Sequence, residues 1–223
     1  MIAVVLDRRR ARFFDISNGT AVELPGLRSP ATEGRRYHSD RADSPGRGER
    51  AYHHRLAEEE RRHYGQITRR LATLTRKRRG EQVFVAGPGP AATGFRRALP
   101  QSLARLVIGA ARLNPARVTP SGVGAAARRA AARRARDEDR AMITAIEEGV
   151  GTGRATNGVR ETLRALAKRE VRTLVVREDV RGAAIAAAIE RATAQDATIA
   201  VLHDPEIARR IDGLAALLRF GEK

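Results

Sequence analysis

Short β-type runs alternate with helical segments along this chain, and that alternation limits the folds it can adopt. The first run, residues 2–6, is entirely apolar, a second follows at residues 11–16, and the Asn18-Gly19 pair leads into a third at residues 21–26. Three short runs separated by turn residues predict an antiparallel meander. Strand and helix patterns alternate through the rest of the chain, so the fold class is predicted as α/β.

The remainder of the first half contains one long helical pattern and a strand–turn–helix stretch. From about residue 49 to residue 78, apolar side chains recur at helical spacing opposite a row of arginines, which predicts a helix with a basic outer face. A β-type run at residues 82–86 ends in a glycine- and proline-rich turn, after which a short helix and another strand follow. We interpret the turn as a rigid connection, because each proline removes a backbone donor and no phosphate-binding Lys-Ser or Lys-Thr follows. Its residues are Gly87, Pro88, Gly89 and Pro90.

The second half begins with a long helix at residues 123–149 that leaves the first domain and enters the second. The segment 151–157 is interpreted as a glycine-containing loop with Asn157 as a helix cap. Beyond it, three helices alternate with three strands, which predicts a compact α/β/α sandwich. The helices are expected at residues 158–169, 182–193 and 205–211, and the strands at residues 173–176, 198–202 and 214–219. We predict two domains, residues 1–132 and 133–223.

The positive charge of the chain is confined to its first part. Residues 1–134 contain 28 Lys and Arg against 11 Asp and Glu, whereas residues 135–223 contain 15 of each. Neutralising phosphates releases condensed counterions, so an excess of this size predicts that the first domain binds nucleic acid. The balanced charge of the second domain favours docking of a protein or a purely structural role.

The candidate nucleic-acid interface is a basic segment and the helix that follows it. Residues 27–50 are almost devoid of large apolar side chains and are predicted to form a basic loop. Aromatic residues are scarce, which favours contact with backbone phosphates over base stacking. The arginines predicted to bind RNA are Arg41, Arg47, Arg50, Arg55, Arg61, Arg62, Arg69 and Arg70.

Histidines and carboxylates in the first half raise the question of an enzyme. We predict that the histidines near the basic segment are polar surface residues, because their spacing does not build a metal-ligand set; they are His38, His53, His54 and His63. Asp7, Asp15 and Glu58 are the candidates for a two-metal nuclease site, but Asp7 falls in a predicted hairpin turn, where Asp is common for backbone reasons. We expect no catalytic residue, no metal and no cofactor, with a metal-dependent RNA hydrolase as the alternative.

The composition of the chain also predicts its cellular compartment and whether a membrane is a partner. The chain has no cysteine, which excludes a disulfide framework and thiolate metal sites. Its longest apolar run, residues 183–189, is far shorter than the ~20 residues that a membrane span needs. The start does not resemble a signal peptide, so we expect a cytoplasmic protein without a membrane partner. A DNA-binding role is a further alternative, although the sequence shows no recognition-helix motif.

Three segments resemble one family. The opening VVLDRRRARFFDI, the strand and turn QVFVAGPGP, and the closing GLAALLRF look like the middle and C-terminal domains of archaeal and eukaryotic class-one release factors and Pelota, and of their bacterial relatives, the archaeo-eukaryotic-type release factor families. The resemblance covers nearly all of the chain in the same order. It implies an RNase H-like middle domain followed by a C-terminal domain like the kink-turn-binding ribosomal proteins.

The family's middle domain carries peptide release on a Gly-Gly-Gln loop, followed by a helix that begins with basic residues and a Glu-Glu pair. Here that helix matches RLAEEE at residues 55–60, so the tripeptide is expected at Gly46-Arg47-Gly48, where glutamine is absent. Gly46 and Gly48 keep the flexibility of the loop and join the predicted RNA-binding set.

The resemblance also implies a function and partners. A chain without the glutamine is similar to Pelota, which acts on stalled ribosomes without releasing peptide. We therefore expect a ribosome-associated factor of the rescue or hibernation type that contacts tRNA or ribosomal RNA, with a translational GTPase or a stalk protein as candidate partner. The family has a further N-terminal domain that enters the decoding centre, whereas this sequence begins at the first strand of the middle domain. Codon reading in the family's manner is therefore not expected, and a two-domain form, a truncated gene and a domain supplied by another chain all stay open as explanations.

Overall fold

The computed structural model describes residues 1–29, 47–76 and 81–219, with the backbone alone at residues 47–52. The chain divides into two compact units, Met1–Ala131 and Ala132–Lys223. Each unit has its own β-sheet and its own hydrophobic clusters.

The sheet of the first unit is mixed and has five strands. They are β1 (Ile2–Leu6), β2 (Arg10–Ser17), β3 (Thr20–Arg28), β4 (Val83–Ala86) and β5 (Val107–Ala111), in the order β3-β2-β1-β4-β5. The pairs β1–β2 and β2–β3 are antiparallel, and the pairs β1–β4 and β4–β5 are parallel. The predicted meander is confirmed: Asn18 and Gly19 form the turn between β2 and β3, both with positive φ, as a two-residue hairpin turn of this type requires.

Helices cover both faces of this sheet. On one face lie α1 (Arg47–Arg76), α2 (Gly89–Ala98) and α3 (Gln101–Ala104), and on the other lies the first part of α4 (Pro120–Val150). The strand β1 is buried on both sides, with Val4 in the cluster under α1 and α2 and Val5 in the cluster under α4. Alternating side chains of one strand therefore contribute to two cores.

The second unit is also a three-layer α/β/α sandwich. Its strands are β6 (Ala155–Asn157), β7 (Val171–Arg177), β8 (Thr198–Leu202) and β9 (Leu214–Leu218), in the order β6-β9-β7-β8, and its helices are α5 (Val159–Ala167), α6 (Ala183–Thr193) and α7 (Pro205–Ala208). Only the pair β7–β8 is parallel among these strands. Leu166 of α5 and Ala188 of α6 pack on one face, and Ile143 of α4 and Ala208 of α7 pack on the other. The predicted sandwich is confirmed.

The structure corrects the sequence reading of residues 151–157. Part of this segment is not a loop but β6, an edge strand that pairs with β9. Nor does Asn157 cap α5: the capping position is Gly158, and the Asn157 side chain instead donates to the carbonyl of Arg210 and accepts from the N–H of Asp212, at 3.2 and 3.0 Å. The amide therefore fixes the turn before β9. A three-residue strand has too little periodicity to be recognised without its partner.

One helix boundary also differs from expectation. The last predicted helix ends at Ala208, because the turn that follows brings Ile211 into the core of the second unit. None of the helices in the described ranges is long and apolar enough to cross a membrane.

Candidate RNA-facing site

The helix α1 is amphipathic, and one face of it is buried in the first unit. Tyr64, Ile67 and Leu71 pack into the cluster that covers β1 and β4. These residues are three and four positions apart, so they lie on the same face of the helix. The buried face fixes which side chains of α1 point to solvent.

A row of exposed arginines lies away from this buried face. The row recurs every seven residues and consists of Arg55, Arg62, Arg69 and Arg76. Seven residues are nearly two helical turns, so the four side chains share one face with about 10 Å of helix axis between neighbours. We call this set the arginine stripe.

The net charge of the described part of α1 is positive even when its glutamates are included. Between residues 53 and 76 the helix contains six arginines and three glutamates. Arg61 is exposed beside the stripe, whereas Arg70 is half-buried. Glu60 is half-buried and accepts a hydrogen bond from the Tyr64 hydroxyl, so its charge is directed toward the protein. The helix therefore presents a net positive surface to an approaching polyanion.

The Tyr64 side chain anchors α1 to α2. Its hydroxyl also lies 3.1 Å from the carbonyl oxygen of Ala91, and its ring meets the ring of Phe95 edge-on with centroids 5.4 Å apart. Burial, with the nearby Glu60 carboxylate, raises the pKa of the Tyr64 hydroxyl above its ordinary value. The hydroxyl therefore stays protonated and keeps both polar contacts. These contacts fix the rotation of α1 about its own axis, and with it the direction in which the arginine stripe points.

His63 corrects the prediction of surface histidines. This side chain is only 1% exposed, and its Nδ1 lies 2.7 Å from the hydroxyl oxygen of Ser29, which follows β3. Burial lowers the pKa of His63 below its ordinary value. His53 and His54 are exposed, and His38 lies outside the described residues. The prediction failed for His63 because its neighbours come from a strand more than 30 residues earlier.

Both ends of the predicted basic loop, residues 27–50, belong to regular elements. At one end, Leu27 and Arg28 pair with β2 as part of β3. At the other end, Arg47, Gly48 and Arg50 are in the first turn of α1, because that helix begins earlier than expected. The tripeptide position is therefore partly helical in this chain. Arg41 and Gly46 lie outside the described residues.

The carboxylates proposed for a nuclease do not form a metal site among the described residues. Asp7 accepts hydrogen bonds from the N–H groups of Arg9 and Arg10, at 2.8 and 2.7 Å, so it shapes the turn between β1 and β2. Within residues 1–29, 47–76 and 81–219, no group of three or more metal-ligating side chains comes together.

The turn of glycines and prolines brings two strands close together. A Cβ on Gly87 would lie 2.2 Å from the carbonyl oxygen of Leu6, so only glycine fits there. Pro88 is the capping residue of α2, and Gly89 and Pro90 are its first two residues. The parallel strands β1 and β4 thus end side by side where α2 begins.

Sequence reasoning missed several arginines near the start of α2, where β1 and β4 end. Arg8, Arg9 and Arg10 follow β1, and Arg112 follows β5. All four are exposed and lie at the carboxyl ends of parallel strands, the edge where α/β folds usually bind ligands. Three consecutive arginines directly after a buried strand were the available signal. Arg76 was also missed, although it continues the seven-residue spacing of the stripe.

The sequence and the fold were compared with known proteins. A comparison with curated proteins found no match. Among solved structures, the fold is similar to a chain of the ribosome-bound complex of archaeal Pelota and ABCE1, with 20% identity and a TM-score of 0.62, over 100% of this chain and 62% of that one. It is also similar to S. cerevisiae Dom34, a translation termination-like factor involved in RNA quality control pathways and interacting with Hbs1. There the identity is 12% and the TM-score 0.67, over 99% of this chain and 64% of that one.

The chain spans a little under two thirds of the length of these structures. At such identities the likeness concerns the fold, and it confirms the two-domain α/β class that the resemblance implied. The sequence also matches a family model, that of bacterial archaeo-eukaryotic release factor family 3, over residues 2–169. That match covers most of the sequence, and the chain therefore belongs to this release factor family.

Proposed function

We propose that this chain is a ribosome-associated translation factor of the rescue or hibernation type. In this proposal it contacts tRNA or ribosomal RNA through the basic segment 27–50 and through α1, without catalysing peptide release. The observation that carries the proposal is the arginine stripe, because it provides four exposed guanidinium groups at regular spacing on a helix anchored to the core. Family membership and the fold shared with Pelota and Dom34 support the translational role.

The proposed mechanism is occupancy rather than chemistry. Arginine forks bind phosphates through paired hydrogen bonds, which positions a protein on RNA without reading its sequence. We infer that the stripe and the basic segment occupy the peptidyl-transferase side of an idle or stalled ribosome in the cytoplasm. Because the second unit has balanced charge, we assign it to a protein partner, a translational GTPase or a stalk protein.

Co-sedimentation with vacant, translating and stalled ribosomes over a salt series tests this proposal. The test variant replaces the four residues of the arginine stripe by Gln. The matched control replaces four exposed arginines of the second unit by Gln, so the net charge falls equally; these are Arg160, Arg164, Arg172 and Arg191.

We expect the stripe variant to bind ribosomes more weakly and the control variant to bind like the native chain. The slope of log affinity against log salt should decrease by about 0.7 to 0.9 for each phosphate contact that is lost. Equal weakening in both variants would mean that only net charge matters, and unchanged binding in the stripe variant would contradict the proposal.

The absence of peptide release has its own test. Ribosomes that carry labelled peptidyl-tRNA should retain the peptide when the chain binds, because the position of the family's glutamine holds Gly48 here. The RNA recovered from the same reactions, with and without Mg²⁺, should be intact. Released peptide would contradict the non-catalytic role, and metal-dependent cleavage of RNA would favour the hydrolase alternative.

A further inference from the structure

A cleft of about 530 Å³ opens beside the turn between β1 and β2. The turn residues from Asp7 to Arg10 form one wall, and Pro88, Pro90 and Ala91 at the start of α2 form another, with Ala116 beside them. This volume lies within the usual range of sites for small ligands, roughly 300 to 1,000 Å³. The cleft has a cationic side and an apolar side.

The cationic side comes from three consecutive arginines, Arg8, Arg9 and Arg10. A fourth guanidinium group, that of Arg112, lies about 3.5 Å from where a Cβ on Gly89 would be. Among the described residues, none of these four arginines forms an ion pair with a carboxylate. The only acid in the lining is Asp7, and one of its oxygens already accepts from two backbone N–H groups of the turn. Three arginines and one carboxylate thus line the cleft, so its described lining carries a net positive charge.

Backbone donors are present on the second wall of the cleft, at the start of α2. Among the described residues, no side chain caps the N-terminus of α2, a helix of ten residues. Its first intrahelical hydrogen bond runs from the N–H of Ala92 to the carbonyl of Pro88, so the N–H groups of Gly89 and Ala91 precede the helical ladder. Such groups, at the positive end of a helix, stabilise a bound anion.

The side chains of this second wall and of Ala116 are apolar, and Ala116 is held in place. Pro88, Pro90, Ala91 and Ala116 offer a hydrocarbon surface without a charge. The segment that carries Ala116 is tied to the sheet by Arg12, whose guanidinium donates to the carbonyls of Pro115 and Val118 at 2.9 and 2.8 Å. The same guanidinium pairs with Glu23 at 2.7 Å. The wall is therefore formed before a ligand arrives.

We propose that this cleft binds a nucleotide. Its phosphate contacts the arginines of the turn and the start of α2, and its ribose or base packs on the apolar wall. The ligand is a nucleoside phosphate from one of two sources, a free mononucleotide or a nucleotide within an RNA strand. This site goes beyond the proposed ribosome binding and does not depend on it, because its binding is measurable without ribosomes.

The test is isothermal titration of the full chain at low salt. The probes are adenosine and uridine 5′-monophosphate, inorganic phosphate, and a short 5′-phosphorylated RNA. The cationic side is tested with the double variant Arg8→Gln and Arg10→Gln, and the control is Arg105→Gln with Arg172→Gln, two exposed arginines outside the cleft lining. The apolar side is tested with Ala116→Leu, which fills the cleft from an exposed position.

We expect saturable binding of a nucleotide that weakens about tenfold for each cleft arginine removed, since each charged hydrogen bond contributes at about that level. Ala116→Leu should also weaken binding, and the control should not. Binding of mononucleotides identifies the free ligand, and binding of the oligonucleotide alone identifies an RNA strand. Inorganic phosphate that binds as tightly as the nucleotides, no binding at all, or loss of binding in the control would each overturn the proposal. These results leave the ribosome-binding proposal to its own experiment.

Discussion

At the scale of single residues, His63 connects two elements that are distant in sequence. Its imidazole is buried between α1 and the end of β3, where Ser29 is its hydrogen-bond partner. Burial lowers its pKa, although Asp7 and Glu60 nearby favour the charged form. Folding therefore favours the neutral form of the His63 ring over the charged form.

His63 should make the stability of the chain depend on pH. A histidine with a lowered folded pKa contributes stability that is complete above about pH 6.5, its unfolded pKa, and is lost as pH falls through the folded pKa. The free energy of unfolding, measured with urea between pH 7.5 and 5, should therefore decrease more steeply for the native chain than for His63→Gln. Parallel profiles in the two proteins would show that the ring titrates alike in both states.

Two glycines should respond oppositely to the same substitution. A Cβ at Gly87 would lie 2.2 Å from a backbone oxygen of Leu6, so Gly87→Ala forces strands to separate and should cost about 3 kcal/mol or more. At Gly65, within α1, a Cβ would have no neighbour within 4 Å, so Gly65→Ala should stabilise by about 0.5 to 1 kcal/mol. Urea unfolding of both variants measures the difference, and a tolerated alanine at position 87 would contradict the described turn.

At the scale of elements, one buried carboxylate joins α4 to the connection between β8 and α7. The Asp139 side chain is 4% exposed and accepts hydrogen bonds from the N–H groups of His203 and Asp204, at 3.0 and 2.8 Å. Asp204 in turn caps α7 through the N–H groups of Glu206 and Ile207. A polar contact therefore holds α4 against the connection between β8 and α7 in the second unit.

Removing this carboxylate should destabilise the second unit. In Asp139→Ala two partly buried N–H groups lose their acceptor, so the free energy of unfolding should decrease by about 1 to 3 kcal/mol. The control is Asp137→Ala, which removes an exposed carboxylate paired with Arg140 and should change stability by less than about 0.5 kcal/mol. Thermal unfolding separates the two variants, and equal melting temperatures would contradict the role assigned to Asp139.

Most elements were predictable from apolar runs and periodicity, and the shortest strand was not. The helix α1 was found because apolar residues recur at helical spacing over about six turns, and β8 was found with its observed bounds. The strand β6 was missed because only its pairing with β9, some 60 residues later, makes it a strand.

The residues of the candidate site also fall into those that local spacing predicted and those that it did not. Most of the arginine stripe was visible as one face of a helix, since its spacing is local. Arg8 and Arg112 were missed as neighbours of one cleft, because the parallel pairing of β1, β4 and β5 brings together residues about 100 positions apart. Sequence spacing alone does not report that pairing.

At the scale of the whole molecule, each unit has its own sheet and clusters, while α4 contributes to both. Val123 and Ala127 pack in the first unit, and Ile143 and Ile146 pack in the second. Separate cores favour separate cooperative units in the opening of the native state.

Hydrogen exchange should therefore respond locally to a local change. Asp139→Ala should accelerate amide exchange in β7, β8 and β9, while the amides of β1 and β4 keep the protection they have in the native chain. Mass spectrometry of peptides from the two sheets measures this directly. Equal acceleration in both sheets would mean that α4 couples the two cores into one cooperative unit.

The position of these cores along the chain has a consequence for biosynthesis. Every residue of the first unit's two clusters lies before residue 131, so a nascent chain made from its amino end contains that whole core before β6 exists. Domains generally fold as units, the N-terminal one first. The first unit can therefore complete its core before the second unit is synthesised, so the arginine stripe is already on a folded helix while the rest of the chain is still being made.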